Sequence, residues 1–289
     1  MTEDGGRTPE TPLLSAEEFR RLCEFLYRRT GIVFTETKRY FVERRLAERM
    51  GATRSPTFAD YFSRVRVDNG EVEGLINALT VNETYFFREE HQLRCLVSSL
   101  LDEVVRGKPP GGSVRIWSIP CATGEEPYSI AIWLLEHWPR VDAFDIEIVG
   151  ADIDTRVLDA ARAGIYGERA LMRVPRELVA RYFETTGPGR YRIIKDLRGS
   201  VRFEAVNLID PSAMALQGRF DIVFCRNVLI YFDDASRRVA AENLYEGLVP
   251  GGFICLGHTE SMSRISPLFE VSRYSDAIVY RRPGGVRNA

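Results

Sequence analysis

The sequence feature that most constrains the fold is the stretch Ile116–Ile130, in which a short apolar strand leads into a helix through a turn of small residues. We predict a buried parallel strand at Val114–Trp117 and a helix at Pro127–Trp138. The turn between them then lies at the carboxyl edge of a sheet, which is where open α/β folds bind ligands. The stretch therefore predicts a doubly wound α/β domain with a ligand site at this turn.

The turn contains a single glycine, Gly124, followed by the acids Glu125 and Glu126. A dinucleotide site would have the pattern G-x-G-x-x-G and exposed N–H groups for a pyrophosphate, so a nicotinamide-dependent dehydrogenase is disfavoured. The acids would repel a phosphate but suit a ligand with an ammonium group and hydroxyls, such as S-adenosylmethionine. We expect Glu126 to reach that ligand. The alternative is an ordinary turn whose acids stabilise the helix dipole.

A second predicted strand begins at Asp145 and ends in two acids separated by one residue, Asp152 and Asp154. An acid at this position binds ribose hydroxyls in folds of this type. We assign Asp152 to the ribose. Asp154 precedes Thr155-Arg-Val-Leu and is predicted to be the N-cap of the next helix.

A third apolar run, Phe220–Cys225, is predicted to be a central strand that ends abruptly at Arg226 and Asn227. In methyltransferases of this general fold, the end of the fourth strand meets both cofactor and substrate. The proline-rich tetrapeptide of the nucleic-acid amino-methylating enzymes is absent here. Asn227 could alternatively be only a turn residue, since Asn tolerates turn conformations.

Four blocks in order, N-E-T-Y-F-F-R, C-A-T-G-E-E-P-Y-S-I, F-C-R-N-V-L-I-Y-F and L-V-P-G-G-F-I-C-L-G-H-T-E-S, closely resemble the CheR family of chemotaxis receptor methyltransferases. The resemblance runs from about Ser15 to Arg282. It implies a class I S-adenosylmethionine-dependent methyltransferase domain with a small all-α N-terminal domain and a small antiparallel β insertion. It also implies an enzyme that esterifies glutamate side chains on the cytoplasmic methylation helices of methyl-accepting chemotaxis proteins.

The resemblance also implies roles for particular residues. Arg88 is expected close to the transferable methyl group, and Pro120 stands where relatives usually have a smaller residue. Asn82 or Thr84 could instead cap the following helix, with Arg88 paired to Glu89 or Glu90. The cofactor-binding residues expected on this basis are Asn82, Thr84, Arg88, Glu126, Asp152, Asn207, Leu208, Arg226 and Asn227.

The implied reaction requires little acid–base chemistry. A glutamate carboxylate, with an ordinary pKa of about 4.3, is already ionised at neutral pH and needs no general base. We expect Arg88 to attract and aim it through a bidentate contact. Tyr231 is expected to donate a hydrogen bond beside the reacting centre. Both catalytic residues are thus interpreted as positioning groups.

The amino-terminal part is predicted to be helical, and its second helix carries a basic stripe. Helices are predicted from the capping box Ser15–Glu18 to Gly31, over Glu36–Met50, from Thr57, and over Glu71–Leu79. In the second helix, the stripe consists of Lys38, Arg45 and Arg49. It is either a solvated face or, as the resemblance implies, the substrate-binding surface for acidic receptor helices. Nucleic-acid binding ranks last, because no aromatic stacking platform accompanies the stripe.

The insertion at 165–201 contains a predicted strand, Arg190–Lys195, that follows the turn Thr186–Gly189. In some family members this subdomain docks on a peptide at the receptor's carboxyl terminus. The loop here is shorter than in those members, so we predict a protein that works without this tether. A further antiparallel edge strand is predicted near Ala277–Arg281, after a turn at Leu248–Gly252.

Composition agrees with this interpretation. The 289 residues carry a formal net charge of −2, which argues against a general nucleic-acid binder. The five scattered cysteines and the absence of a signal peptide or long apolar run predict a cytoplasmic protein without membrane insertion. We expect a monomer with no metal site, and His258 and Glu260 as structural hydrogen-bonding residues.

We predict a disordered leader at 1–14, a helical domain at 15–80, a linker and connecting helix at 81–110, and a methyltransferase domain at 111–284. Two alternatives remain open: a methyltransferase of the same fold acting on another protein or a small molecule, and a cofactor-binding regulator that transfers nothing.

Overall fold

The computed structural model describes residues 13–284, and the chain divides into two compact units between Thr80 and Val81. The first unit is all helical, with α1 Ala16–Thr30, α2 Arg39–Thr53, α3 Phe58–Val65, α4 Asn69–Leu79 and a 3₁₀ turn at Glu36–Lys38. The predicted capping box is present, since the Ser15 side chain accepts from the Glu18 N–H and Glu18 bonds back. Gly31 ends α1 at φ 71°, a left-handed conformation that favours glycine.

Two predictions about this unit are wrong. Leu14, assigned to the leader, is buried with an exposure of 2% and donates its N–H to Glu43 Oε1 at 3.2 Å. Residues 1–12 of that leader lie outside the described residues. Lys38 belongs to the 3₁₀ turn rather than to α2, so helical spacing connects only Arg45 and Arg49.

The second unit is built around two sheets. Its strands are β1 Ser113–Ser118, β2 Asp145–Asp152, β3 Ile165–Gly167, β4 Phe183–Gly187, β5 Arg190–Ile193, β6 Val201–Ala205, β7 Phe220–Cys225, β8 Leu248–Leu256, β9 Glu270–Arg273 and β10 Ile278–Arg281. Its helices are α5 Glu90–Cys95, which continues through π-helical Leu96–Leu100 into α6 Leu101–Val105, then α7 Glu125–His137, α8 Thr155–Ala163, α9 Glu168–Leu171, α10 Arg176–Tyr182, α11 Lys195–Ser200, α12 Pro211–Ala215 and α13 Asp234–Glu246. Short 3₁₀ turns occur at Val141–Ala143, Leu229–Tyr231 and Met262–Arg264.

The large sheet has the strand order β6-β2-β1-β7-β8-β10-β9. Strands β6, β2, β1, β7 and β8 are parallel, and β10 and β9 are antiparallel. All six residues of β7 are buried, as expected for a central parallel strand. The strand order reverses between β1 and β7. Open α/β sheets bind their ligands in the crevice at such a reversal, which is where the sequence predicts the ligand site.

The predicted fold class is confirmed, with corrections at the far edge. Ile278–Arg281 is antiparallel as predicted, but it lies inside the sheet because β9 pairs along its outer side. The predicted turn Leu248–Gly252 is part of β8, where the register shifts against β7. The insertion forms a separate antiparallel sheet of order β3-β5-β4, and the predicted strand from Arg190 is β5.

Candidate active site

The turn after β1 is anchored to the strands on either side of it. The Ile119 N–H donates to the Phe224 carbonyl of β7, and the Cys121 N–H donates to the Ala151 carbonyl of β2, both at 2.8 Å. Pro120, joined to Ile119 by a cis peptide bond, lies between these two anchors. The lack of an N–H at Pro120 therefore removes neither anchor, and the turn spans the crevice at the strand-order reversal.

Backbone strain is concentrated around this turn. Within residues 81–284, four non-glycine residues have φ between 46° and 60°: Phe87, Glu89, Ala122 and Asn227. Such conformations cost about 1–3 kcal/mol each and persist only where surrounding contacts hold them. Two of the four lie in the segment before α5, one in the β1 turn and one directly after β7. The strained residues thus come from three segments that are far apart in the sequence.

Asp152 lies at the end of β2 with an exposure of 2%. Its Oδ2 accepts from the Ala122 N–H and its Oδ1 from the Asp154 N–H, each at 2.9 Å. Burial raises the pKa of Asp152 to about 6, against the lowering effect of hydrogen bonds from the backbone of Ala122, Asp154 and Ile153. An ionised carboxylate has about four acceptor positions. Backbone N–H groups thus hold this carboxylate at the carboxyl edge of the sheet, where an acid can also accept from a diol.

Asp154 is the N-cap of α8, as predicted, and accepts from the Arg156 N–H at 3.0 Å. Its Oδ2 also accepts from Asn82 Nδ2 at 2.9 Å. This bond fastens the segment before α5 to the end of β2. The alternative in which Asn82 or Thr84 caps the following helix is wrong, because the N-cap of α5 is Glu89 and no side chain caps it. Thr84 is half-buried.

Arg226 is the centre of a buried charge cluster. Its side chain is 3% exposed and lies 2.7 Å from Glu126 Oε2 and 3.3 Å from Glu89 Oε2. Its Nη2 also donates to the Arg88 carbonyl at 2.8 Å. Ser118 Oγ donates to the other oxygen of Glu126 at 2.7 Å. One arginine thus joins β7, α7 and the segment before α5.

The formal charges of Arg226, Glu126 and Glu89 sum to −1, so the Arg226 cluster suits a neighbouring cation. Burial raises the pKa of Glu126, and the Arg226 charge opposes this. At Glu89, burial acts in the same direction but Arg226 and His258 outweigh it, so the pKa lies below its ordinary value. His258, 66% exposed, contacts Glu89 Oε1 through Nδ1 at 3.1 Å.

The two adjacent acids of the turn have different surroundings. Glu125 is 4% exposed and accepts from Thr123 Oγ1 at 2.6 Å. Tyr166, from the small sheet, donates its hydroxyl to the Thr123 carbonyl at 2.9 Å. Burial raises the pKa of Glu125. Glu125 therefore braces the turn, whereas Glu126 lies between the ends of β1 and β7.

Arg88 and Tyr231 lie on segments that meet at the end of β7, since Arg226 Nη2 donates to the Arg88 carbonyl. Tyr231 is half-buried in the 3₁₀ turn that follows β7. Burial raises its pKa, and the Arg88 charge opposes that rise. Tyr231 therefore keeps its proton at neutral pH and can donate a hydrogen bond. Arg88 Nη1 donates to the Glu83 carbonyl at 2.9 Å, and among the described residues it forms an ion pair with neither Glu89 nor Glu90.

Asn207 and Leu208 follow β6 and lie beside the end of β2. The adjacent Val206 donates its N–H to the Asp152 carbonyl at 3.0 Å. Asn207 Oδ1 accepts from the Ile209 N–H at 3.2 Å, and the buried Leu208 offers its carbonyl to Asn243 Nδ2 at 2.9 Å. These bonds fix a polar turn next to Asp152.

The basic residues of the first unit differ in their partners. Arg49 Nε contacts Glu71 Oε1 at 3.0 Å, and Tyr61 donates its hydroxyl to the same atom at 2.6 Å. Because Glu71 is buried, Arg49 contributes to the interior of this unit. Arg45 pairs with the exposed Glu48 at 3.0 Å, a surface pair that is worth little. Lys38 is exposed.

Several residues that build the site were not identified from the sequence. Ser118, Thr123 and Tyr166 bind turn groups through single hydroxyls, which leave no sequence pattern. Glu89 was considered only as a partner of Arg88, and its contact with Arg226 joins positions far apart along the chain.

A parallel sheet with this switch point, an acid at the end of β2 and an anchored acidic turn after β1 defines a class I S-adenosylmethionine-dependent methyltransferase. Two family models match the chain: "CheR methyltransferase, SAM binding domain" over residues 82–278 and "CheR methyltransferase, all-alpha domain" over residues 17–80. The chain therefore belongs to the CheR methyltransferase family. Its cofactor is S-adenosylmethionine, as predicted.

Similar proteins have names from the chemotaxis system. The chain is 47% identical over 273 residues to chemotaxis protein methyltransferase 2 of Vibrio cholerae, covering 94% of each chain. It is 40% identical over 257 residues to chemotaxis protein methyltransferase 2 of Pseudomonas aeruginosa, covering 87% of this chain and 89% of the relative. The protein is accordingly an S-adenosylmethionine-dependent methyltransferase of the chemotaxis type.

Across residues 13–284, no cluster of three or more His, Cys, Asp or Glu side chains could hold a metal ion. No helix there is both long and apolar enough to cross a membrane.

Proposed function

We propose that this protein transfers the methyl group of S-adenosylmethionine to glutamate side chains on the methylation helices of bacterial chemoreceptors. The products are glutamate methyl esters and S-adenosylhomocysteine. The observation that carries the proposal is the hydrogen bond from Arg226 Nη2 to the Arg88 carbonyl, at 2.8 Å, which ties Arg88, a cation suited to a carboxylate, to the end of β7 that Tyr231 follows. A chemotaxis methyltransferase with this pair is equipped to receive an anionic acceptor. Because these helices are cytoplasmic, we place the protein in the cytoplasm, acting as a monomer.

The cofactor fits the chemistry of the crevice. Asp152, held at the end of β2 by backbone N–H groups, is the acceptor that suits the ribose diol. The Arg226 cluster, with its net charge of −1, suits the ammonium and sulfonium groups, with Glu126 as the acid nearest them. Asn207 and Leu208, beside Asp152, are assigned to the adenine end. The remaining residues that we assign to cofactor binding are Asn82, Thr84, Arg88 and Asn227.

Methyl transfer needs orientation rather than proton transfer. S-adenosylmethionine supplies an electrophilic methyl group on a cationic sulfur. A new C–O bond forms to the glutamate carboxylate as the S–C bond breaks, and its electron pair stays on sulfur. Arg88 aims the carboxylate and Tyr231 holds it in line, so their contribution is the entropy of positioning. Opposite charges cancel in the transition state, which a water-poor site favours.

We expect Arg88→Ala to lower receptor methylation at least tenfold, because the acceptor loses its charged guide. The assay transfers labelled methyl to receptor cytoplasmic fragments and counts the volatile methanol that mild alkali releases. Arg238→Ala is the matched control, since Arg238 is exposed on α13. Alkali-stable label, or no label from wild type that binds cofactor, would contradict glutamate esterification and favour another substrate or a non-catalytic regulator.

For receptor encounter we assign Lys38 and Arg45 to contact with acidic receptor helices. Arg49 was predicted to share this role, and its contact with Glu71 adds a structural one. Complementary charge steers association and weakens as salt screens it.

We further propose that catalysis needs no peptide tether. Strands β4 and β5 are joined by Pro188 and Gly189 alone, which supports a compact insertion. Deleting the terminal pentapeptide of a receptor should leave the KM for that receptor unchanged within about twofold. A protein that does not bind this peptide loses no binding free energy when the peptide is removed. The measurement compares receptor fragments with and without the pentapeptide. A large rise in KM on its deletion would contradict the proposal.

A further inference from the structure

Glu260, in the loop after β8, accepts three hydrogen bonds from backbone N–H groups through its carboxylate. Its Oε2 accepts from the N–H groups of Asn227 and Gly257 at 2.8 and 2.9 Å, and its Oε1 accepts from the Leu229 N–H at 2.8 Å. Among the described residues it forms no salt bridge. Hydrogen bonds to an ionised acceptor are roughly twice as strong as neutral ones. This carboxylate therefore fixes the backbone that follows β7 to the start of the loop that follows β8.

The fixed backbone includes the strained residue of this segment. Asn227 has φ 60°, and the 3₁₀ turn containing Tyr231 begins two residues later. The Asn227 and Leu229 N–H groups, which flank Val228, bind the two oxygens of one side chain. A non-glycine residue keeps a left-handed conformation only where contacts hold it there, and Glu260 supplies those contacts.

Gly257 shows how closely the loop is fitted to Asn227. A Cβ at Gly257 would lie 2.7 Å from Asn227 Nδ2 and 2.8 Å from Glu260 Oε2. Both distances are shorter than real Cβ contacts, so a side chain at this position would displace the amide or the carboxylate. The loop thus lies so close to Asn227 that position 257 has no room for a side chain.

We propose that Glu260 is a positioning residue for methyl transfer, holding the Asn227 side chain against the cofactor and Tyr231 at the reacting centre. It acts through these residues and touches neither the cofactor nor the receptor. The inference rests on the proposed roles of Asn227 and Tyr231. The proposal means that methyl transfer also depends on the loop after β8, which contains Glu260.

The first test is Glu260→Gln, which preserves size but replaces one acceptor oxygen by an NH₂ group. Wherever that group lies, it faces a backbone N–H, so one side of the contact becomes donor against donor. We expect the Kd for S-adenosylhomocysteine to rise about tenfold and kcat to fall about as much, because small misplacements at a reacting centre are costly. Glu242→Gln, at an exposed position of α13, should change neither value. An unchanged Kd and kcat in Glu260→Gln would overturn the proposal.

A double-mutant cycle separates positioning from general support of the fold. If Glu260 acts through Asn227, then Glu260→Gln should add less than twofold to the Kd of Asn227→Ala. Effects that multiply in the double variant would overturn the proposal, since Glu260 would then act independently of Asn227. Gly257→Ala is a second probe, which retains the Glu260 side chain but crowds its carboxylate and the Asn227 amide, and it should also raise Kd about tenfold. A wild-type Kd in that variant would overturn the loop's role.

Cofactor affinity is measured without a receptor, so it distinguishes this inference from the proposed function. A cycle with the expected coupling in a protein that methylates no receptor glutamate would support Glu260 as a positioning residue and contradict the proposed substrate. Receptor methylation by wild type together with independent effects in the cycle would do the reverse.

Discussion

Arg226→Met is expected to lower the free energy of unfolding of the second unit by about 3–5 kcal/mol. The substitution leaves Glu126 and Glu89, whose side chains are only 14% and 11% exposed, without their shared cation. It also removes the donor that binds the Arg88 carbonyl. Removing one member of a buried charge cluster costs more than the cluster contributed, because the remaining charges stay desolvated. Thermal unfolding should show a fall in Tm of roughly 10 °C.

The matched control is Arg219→Met, which removes an arginine that is 53% exposed and lies 3.7 Å from Glu246. A surface pair of this kind contributes about 0–1 kcal/mol, so this variant should unfold close to wild type. A loss below 1 kcal/mol in Arg226→Met would mean that the two acids are relieved by water or protons in the variant, and the buried cluster would not be a main support of the site.

The pH dependence of the Arg226→Met defect has a definite sign. Burial already raises the pKa of Glu126, and loss of the opposing Arg226 charge raises it further. A group whose pKa is higher in the folded than in the unfolded state binds more protons when folded, so its contribution to stability falls as pH rises. The gap between variant and wild type should therefore narrow as pH is lowered from 7 toward 5.

Local signals in the sequence predicted the elements on which they act. The Ser15 capping box and the Asp154 N-cap are short-range patterns, and both are present. The acid at the end of β2 was placed correctly in the fold because strand ends are read from a local change in pattern. Its proposed contact with ribose is still a prediction.

Long-range pairing was not predictable in the same way. The expected fold predicted an antiparallel edge strand near Ala277–Arg281. The sequence of a strand does not show whether another strand pairs along its outer side, and here β9 does. Likewise, the hydrogen bond between Arg226 and Glu126 joins residues that are 100 positions apart in the sequence. The sequence therefore does not show the charge cluster, which forms only when the sheet folds. Lys38 was assigned to a helix because its spacing suited one, although the chain turns there as a 3₁₀ segment.

Cofactor affinity should depend on pH through Asp152. The pKa of this carboxyl is raised to about 6 by burial, so in the free protein it gains a proton below that pH. A protonated carboxyl has fewer acceptor positions for the ribose diol than a carboxylate. The Kd for S-adenosylhomocysteine should be flat above pH 7 and rise about tenfold per pH unit below 6, as for one linked proton. Isothermal calorimetry at pH 5 and pH 8 measures this difference.

Asp152→Asn is the control that isolates this carboxyl from the histidines. Two hydrogen bonds to a charged acceptor are worth about 3 kcal/mol together, so the variant should bind about 10²-fold more weakly at pH 8. It should also lose the slope below pH 6; a slope that persists in the variant would assign the proton to another group.

Protonation of Asp152 also changes the stability of the fold, and the direction of that change can be measured separately from cofactor affinity. Since the pKa of folded Asp152, about 6, exceeds its ordinary value of 3.8, the folded state binds more protons between pH 4 and 6. The contribution of Asp152 to stability therefore falls as pH rises through that window, while the affinity for cofactor rises. The increase in Tm caused by S-adenosylhomocysteine should consequently be larger at pH 7 than at pH 5. An increase in Tm that is equal at both values would mean that the ribose hydroxyls do not depend on the ionised form of Asp152.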